Sequence, residues 1–176
     1  IFMILVLFGA MLWFNFSTGK NFEKTALGFT EKIMFEDQKA KIKTAAHSMA
    51  YAIGNVLNVY PDKNQKKDII SNVFNNIRYE TDDSGYYFIC RKTTIVAHID
   101  DNLIGKDLVD LKDKNGVRLI NDLYNEAENG GGFVKYIWPK PGKGDIQKIS
   151  YAEMIPGTDY WVGTGVYIDN IDAYKR

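Results

Sequence analysis

The spacing of apolar residues changes once along this chain, near residue 85, and that change limits which folds the chain can adopt. Residues 21–60 contain no proline, and apolar side chains recur there at intervals of four and three, the repeat of a helix with one packed stripe. The stripe consists of Ile42, Ala46, Met49, Ile53, Val56 and Tyr60. We predict a long helix over 21–60 that packs on its own domain, on a second copy of itself, or on both.

Shorter elements follow the long helix. A second helix is predicted over 65–78, where apolar residues keep helical spacing. Beyond residue 85, aromatic and β-branched residues form short runs that end at turn-forming residues, as in strands. These runs predict strands at 86–91, 94–99, 133–138, 148–155 and 160–167, with a helix at 117–128. The order predicts an α+β domain with an antiparallel sheet of about five strands and a long N-terminal helix.

The first 20 residues predict a membrane segment. Residues 1–19 carry no ionisable side chain, and Trp13 and Lys20 provide an aromatic and basic boundary where the apolar run ends. We predict a truncated transmembrane helix over 1–20, with a secretory signal or a buried soluble helix as alternatives. Residues 21–176 then form one domain, with the long helix at 21–60 and the sheet at 61–172.

Composition excludes several classes of function. The chain has 22 basic and 22 acidic residues. It therefore lacks the surplus of positive charge that would indicate a nucleic-acid partner. Its single cysteine, Cys90, excludes an intramolecular disulfide and a four-cysteine zinc site. The strongest catalytic candidate is His98 with Asp100 and Asp101, but it lacks a second histidine nearby and resembles ordinary turn chemistry. We predict neither an enzyme nor a bound cofactor or metal.

A lysine among aromatic residues is the clearest candidate for binding. Alternation places Tyr136 with Trp138 on one strand face, and Lys148 with Ser150 on one face of the next strand. If Trp138 pairs with Lys148, then Tyr136 meets Ser150 and the polar tips converge, whereas a slip of one residue sends Lys148 to the opposite face. A buried ammonium needs a partner, and a ligand carboxylate is one interpretation. A solvated lysine at a strand end is the other.

Other polar and aromatic side chains are weaker candidates. His98 either donates to a carboxylate or is satisfied within the core. Arg78 and Tyr79 offer a bidentate grip and a hydroxyl, although Arg78 can equally cap the carbonyls of its own helix. Phe88 is preferred to Tyr87 as a cavity residue. Tyr151 is a further hydroxyl, but its parity is opposite to that of Lys148, so both line one cavity only if a bulge intervenes.

Five segments together resemble the extracytoplasmic Cache sensor domain of bacterial chemotaxis receptors, in its single-Cache, PAS-like form. They are IRYETDDSGYYFI, VAHIDDNLIGKDL, DKNGVRLINDL, GGGFVKYIWPKPG and QKISYAEMIPGTDYWVGTGVYIDNI. The resemblance covers residues 30–172 and implies a central antiparallel sheet, a helix that leads out of the membrane, and a small organic ligand on one sheet face.

The resemblance implies a function that we state as an expectation. The chain is expected to be the periplasmic sensor domain of a chemoreceptor in the inner membrane, with a second membrane helix beyond residue 176. It is expected to bind a small carboxylate of the acetate, propionate, pyruvate or lactate class and to signal through its long helix, as a homodimer. The sensor of a histidine kinase or cyclase is an alternative, and so is a ligand-free periplasmic dimerisation module.

Overall fold

A computed structural model describes residues 2–60, 62–74 and 77–169; at 2–18, 20–21, 23–24, 63–64 and 72–74 it describes the backbone only. The chain forms two compact units, Ile1–Asp37 and Gln38–Arg176. Helix α1, Phe2–Leu57, begins in the first unit and continues into the second. Within the described part of the chain, no helix is both long enough and apolar enough to cross a membrane. The predicted transmembrane segment, 1–20, lies outside the residues with described side chains except for Gly19.

The elements after α1 follow the predicted order with one correction. They are α2 (Lys63–Phe74), β1 (Arg78–Tyr79), β2 (Gly85–Arg91), β3 (Thr94–Ala97), a 3-10 turn (Asp101–Leu103), α3 (Leu119–Glu128), β4 (Gly132–Lys140), β5 (Gly144–Met154) and β6 (Tyr160–Tyr167). The prediction that helix 65–78 includes Arg78 is wrong, because Arg78 and Tyr79 pair with β2 as a short strand. In the described part of the chain, six strands form one sheet.

The sheet is antiparallel, and its strand order places β6 at the centre. The order is β1-β2-β6-β5-β4, and β3 also pairs with β2. Because successive side chains of a strand point to opposite faces, the sheet divides the core into two clusters. The α1 face of the sheet carries Ile89, Val162 and Ile155 against helix α1. The α3 face carries Phe88, Trp161 and Ala152 against helix α3 and the loop before it.

Helix α1 packs one stripe on the sheet. Its fully buried residues are Ile42, Ala46, Ala50, Ile53 and Leu57. The predicted stripe is confirmed at Ile42, Ala46 and Ile53, whereas Val56 and Tyr60 are 43% and 40% exposed. A straight helix drifts away from a strict seven-residue repeat, so the contact moves to Ala50 and Leu57. Burying each isoleucine or leucine here contributes about 1.5–3 kcal/mol.

The β4–β5 hairpin fixes which side chains share the site. Tyr136 pairs with Lys148, Val134 with Ser150, and Trp138 with Ile146. The predicted pairing of Trp138 with Lys148 is therefore wrong by two residues, because β5 begins at Gly144, immediately after a tight turn. A shift of two residues preserves the face of every side chain. Tyr136, Trp138, Lys148 and Ser150 consequently still lie together on the α3 face.

Candidate ligand-binding site

Lys148 is fully buried on the α3 face of the sheet. Its side chain has 0% exposure, and among the described residues no atom accepts a hydrogen bond from Nζ. The nitrogen lies 3.7 Å from the ring centroid of Tyr86 and 4.9 Å from that of Tyr167. Burial holds the pKa of the Lys148 amine well below its usual value, because the charged form loses its hydration. An amine in this position lacks the partner that a buried charge requires.

A glycine on the central strand makes room for this lysine. A Cβ atom added to Gly165 would come within 2.9 Å of Lys148 Cε and would also collide with Ser150 Oγ. Gly165 pairs with Ser150, so the lysine stem crosses β6 at the one position of that pair without a side chain. The sequence GTGVY therefore provides the space for the stem of Lys148, which ends with its amine on the ring of Tyr86.

Two hydroxyl groups lie on the same face of the sheet as Lys148. The Tyr136 hydroxyl and Ser150 Oγ are hydrogen-bonded at 2.8 Å, and both residues are buried. Burial raises the pKa of the Tyr136 hydroxyl and that of the Tyr86 hydroxyl well above their usual value. Both phenols therefore stay neutral at physiological pH and act as hydrogen-bond donors or acceptors rather than as counter-ions.

His98 adds a neutral ring with one defined donor. Its Nδ1 accepts a hydrogen bond from the Asp100 backbone N–H at 2.9 Å, so Nε2 carries the proton in the neutral ring. Burial lowers the pKa of His98 to about 4, because the charged ring loses its hydration. The ring stands edge-on to Tyr86 at 5.2 Å and to Trp138 at 6.2 Å. His98 is thus a neutral donor at the wall of the site.

Asp100 and Asp101 build a turn at the edge of this site. Asp100 Oδ1 accepts from the Asn102 backbone N–H at 3.0 Å and from its side-chain amide at 2.9 Å. Within the described residues, no group of three or more histidine, cysteine or acidic side chains is placed to hold a metal ion. The carboxylate of Asp100 caps the 3-10 turn and leaves no sign of the acid–base pairing considered for this trio.

A narrow cavity lies on the α3 face beside the lysine. Its lining residues are Tyr86, Phe88, Ile95, His98, Leu103, Leu108, Leu119, Ile120, Tyr136 and Trp138. The volume open to the centre of a water-sized sphere is about 10 Å³, which is room for about one water molecule. Lys148 and Ser150 are not part of this lining; they contact Tyr86 and Tyr136, which are. Binding of an acid therefore requires side chains of the lining to move.

A larger groove lies elsewhere, at the end of the β2–β3 hairpin. Its volume is about 450 Å³, and its lining includes Lys67, Arg91 and Lys92. Arg91 there pairs with Asp159 at 2.5 Å. Its basic side chains are at the surface, so the groove lacks a buried group that needs a ligand.

The structure brings most of the predicted site residues together, but not all of them. Phe88, His98, Tyr136 and Trp138 line the cavity, and Lys148 and Ser150 lie next to it. Arg78 is exposed, pairs with Tyr86, and donates to the Ile77 carbonyl at 3.2 Å. Arg78 is not among the residues that line the cavity. A grip by Arg78 on a ligand stays a prediction.

Tyr79 and Tyr151 lie on the α1 face of the sheet, on the side opposite to Lys148. The Tyr79 hydroxyl is hydrogen-bonded to Thr164 Oγ1, and its ring packs at 5.5 Å from that of Tyr87. Tyr151 packs at 4.8 Å from Phe133, beneath Lys43 of helix α1. Strand alternation sends these two side chains away from Lys148, and no bulge in β5 reverses that parity.

Two aromatic residues of the site were missed from the sequence. Tyr86 provides the ring beneath the amine, and Tyr167 provides a second ring whose hydroxyl donates to the Pro139 carbonyl at 2.7 Å. Tyr86 has the same parity as Phe88, so alternation alone indicated its face. Tyr167 pairs directly with Lys148, but that contact depends on the order and register of β5 and β6.

The chain is similar in sequence to known sensor proteins. The family model for the Cache domain matches residues 21–174. The sensor histidine kinase MctS of Rhizobium johnstonii is 28% identical over 87% of this chain. The methyl-accepting chemotaxis protein McpP of Pseudomonas putida is 26% identical over 78% of it. The matched regions span 34% and 26% of those two proteins, so the chain corresponds to a minor part of each.

Solved structures have the same fold. A methyl-accepting chemotaxis protein from Vibrio parahaemolyticus is 31% identical, with a TM-score of 0.70 over 81% of this chain and 96% of that one. A Cache chemosensory domain solved for its recognition of carboxylic acid is 22% identical, with a TM-score of 0.68 over 78% of this chain and 98% of that one; at this identity the likeness shows the fold. With its long helix and antiparallel sheet, the chain belongs to the Cache domain family.

Proposed function

We propose that this chain is the extracytoplasmic ligand-binding domain of a transmembrane receptor and that it binds a small carboxylate at Lys148. Its relatives include chemotaxis proteins and a sensor histidine kinase, which supports a signalling role. A chemoreceptor of the inner membrane with a periplasmic sensor is the form we favour, and a kinase is the second form. In either form, we propose that the segment 1–20 holds the domain at the membrane.

The observation that carries this proposal is the buried amine of Lys148 without a hydrogen-bond acceptor among the described residues. A carboxylate forms charge-assisted hydrogen bonds with an ammonium, and these are among the stronger hydrogen bonds in proteins. The Nε2–H of His98 and the hydroxyl of Tyr136 offer further donors at the same wall. An ion pair formed there is shielded from water, so its attraction is stronger than at the surface and offsets hydration that the carboxylate loses on entering.

The apolar part of the cavity limits the length of the acid. Ile95, Leu119 and Ile120 line the same cavity, and they suit a short alkyl chain. Because the cavity has room for about one water molecule, we propose that Trp138, which is only half-buried, moves to admit an acid of two or three carbons. Carboxylic acid recognition by a Cache chemosensory domain of the same fold supports this ligand class.

Strand β5 offers a route from the ligand to the long helix. Lys148 lies on the α3 face of this strand. Glu153 of the same strand lies with its Oε1 3.0 Å from Nδ1 of His47 in helix α1. A ligand changes signalling only if it binds one arrangement of the strand and helix better than another. Each tenfold preference between the two arrangements supplies about 1.4 kcal/mol of bias. We propose that α1 carries the signal in this way.

A thermal-shift measurement with acetate, propionate, pyruvate and lactate tests the proposed function. At a concentration 100 times Kd, an acid stabilises the domain by about 2.7 kcal/mol, which raises Tm by about 5–10 °C for a chain of this size. Lys148→Met should lose this ligand-dependent rise. Lys135→Met is the matched control, because Lys135 is an exposed lysine on β4, and it should keep the rise.

Two results would contradict the proposal. One is the absence of any rise with all four acids in the unmodified chain. The other is an equal rise in the unmodified chain and in Lys148→Met, which would remove Lys148 from the site while leaving acid binding in place.

We also propose that the domain is a homodimer through α1. Several of its apolar side chains are exposed, including Phe22 at 77%, Phe29 at 65% and Ile33 at 52%. Phe22 and Phe29 are seven residues apart, which places them on one stripe of a helix. A second copy of the same helix is a partner of matching chemistry. Sedimentation equilibrium of the chain should give twice the monomer mass, and Phe29→Glu should lower it.

A further inference from the structure

We propose that the Lys148 amine is uncharged in the ligand-free domain and that a carboxylate enters the site together with one proton. This inference rests on the proposed function, since it concerns how the same site takes its ligand. It predicts that the receptor responds to the acid and to acidity together.

The surroundings of the amine contain no counter-ion among the described residues. The amine lies on the rings of Tyr86 from β2 and Tyr167 from β6. The same face of the sheet carries Tyr136 from β4 and Ser150 from β5, with His98 in the loop after β3 and Leu119, Ile120 and Leu123 of α3 in the same cluster as Tyr86 and Tyr136. Arg78 of β1 pairs with Tyr86. None of these side chains is a carboxylate, and the charged one, Arg78, is positive. The nearby Asp100 is exposed, and its Oδ1 accepts from Asn102.

Aromatic rings alone do not hold a charged amine in such a place. The ring of Tyr86 attracts a cation, but this attraction recovers only part of the hydration that an ammonium loses on full burial. A neutral amine loses far less, and the lowered pKa of Lys148 agrees in direction with this comparison. His98 is also neutral at physiological pH, so the site as a whole keeps its charge low before a ligand arrives.

An entering carboxylate reverses this balance. The anion favours the protonated amine, so the complex contains one ammonium, one carboxylate and one proton more than the free amine and the free anion. Between the pKa of the amine in the free domain and its pKa in the complex, affinity then falls about tenfold for each unit by which pH rises. Below the first of these pKa values, affinity is independent of the amine's titration.

Calorimetry on the full 176-residue chain tests the coupling. Each of the same four acids is titrated at about pH 7.5 in two buffers that differ in their heat of ionisation, and the difference gives the number of protons taken up. We expect about one proton per acid bound, with affinity falling about tenfold for each pH unit above this. Lys148→Arg supplies a permanent charge, and any acid bound by that variant should bind without proton uptake.

A second measurement needs no ligand. Carbon-13 NMR of lysine Cε, with Lys148→Met to assign the signal, reports whether the amine is charged in the free domain. A Lys148 signal of the neutral amine at about pH 7.5 supports the inference, and a signal of the ammonium there overturns it. Acid binding without proton uptake also overturns the coupling but leaves the proposed function standing. Failure of every acid to bind at any pH removes both.

Discussion

Two lysines on neighbouring strands, Lys140 of β4 and Lys148 of β5, are buried to almost the same degree but differ in their partners. Lys140 is 3% exposed and Lys148 is 0% exposed, and both amines lie near the ring of Tyr167, at 5.4 Å and 4.9 Å. Lys140 Nζ pairs with Asp82 at 2.9 Å and with Asp169 at 3.0 Å. Lys148 has no such partner among the described residues.

The difference in partners sets the difference in charge. Burial lowers the pKa of Lys140, but its hydrogen bonds to Asp82 and Asp169 outweigh burial and the pKa is raised overall. Burial alone acts on Lys148, and the pKa of that amine is lowered. The two lysines therefore have different roles. Lys140 joins strand β4 to the β1–β2 loop and to the chain after β6. We propose that Lys148 binds the carboxylate of a ligand.

The largest effect on stability is expected for Lys140→Met. This change leaves Asp82 and Asp169 without the amine that they share, and a broken buried ion pair costs about 3–5 kcal/mol. Both carboxylates are partly exposed, with side-chain exposures of 39% and 27%, so water offsets part of that cost. We expect the free energy of unfolding, measured by urea denaturation, to fall by about 2 kcal/mol. An unchanged free energy of unfolding would show that the ion pairs of Lys140 with Asp82 and Asp169 do not stabilise the fold.

A smaller effect of opposite sign is expected for Lys148→Met. Methionine has a similar length and does not bury an amine without a partner, so the ligand-free domain should become more stable by about 1 kcal/mol. Urea denaturation in the absence of acids measures the change. The exposed Lys135→Met should stay within about 0.5 kcal/mol of the unmodified chain. Destabilisation by Lys148→Met would indicate that the lysine already has a structural partner.

The smallest expected effect is a loss of stability at low pH. Burial raises the pKa of Asp82, but its hydrogen bonds to Ser84 and Lys140 outweigh burial and bring the pKa to about 2, below its ordinary value of 3.8. A carboxyl group with a depressed pKa stabilises the fold above its ordinary pKa, and that stability is lost as pH falls from about 4 to about 2. Denaturation at several pH values should show this loss, and Lys140→Met should show less of it. An equal loss in both chains would separate Asp82 from Lys140.

Local pattern predicted the elements better than it predicted their pairing. The long helix, helix α3 and the five longer strands follow from spacing that each segment carries by itself. Strand β1 was missed because Ile77 continues the helical spacing of the residues before it, whereas Arg78 and Tyr79 are held in a strand by pairing with β2. That pairing is a long-range contact, and no local spacing reports it.

In the candidate site, too, local pattern predicted less than the pairing of the strands reveals. Alternation and an assumed pairing of Trp138 with Lys148 together predicted that Tyr136 and Lys148 share a face. The observed register differs by two residues, and a shift of two preserves that face. The partnership of Lys148 with Tyr86 and Tyr167 depends on β6 lying between β2 and β5, which is a property of the whole sheet. The space above Gly165 likewise appears only once β5 and β6 are paired.

A crystal structure of the domain grown with the acid that raises Tm most would test the central claim most directly. The account predicts a carboxylate oxygen within about 3 Å of Lys148 Nζ, with the amine drawn off the ring of Tyr86 and Trp138 displaced. An acid bound instead in the groove beside Arg91 and Lys92, with Lys148 Nζ still on the ring of Tyr86, would contradict it.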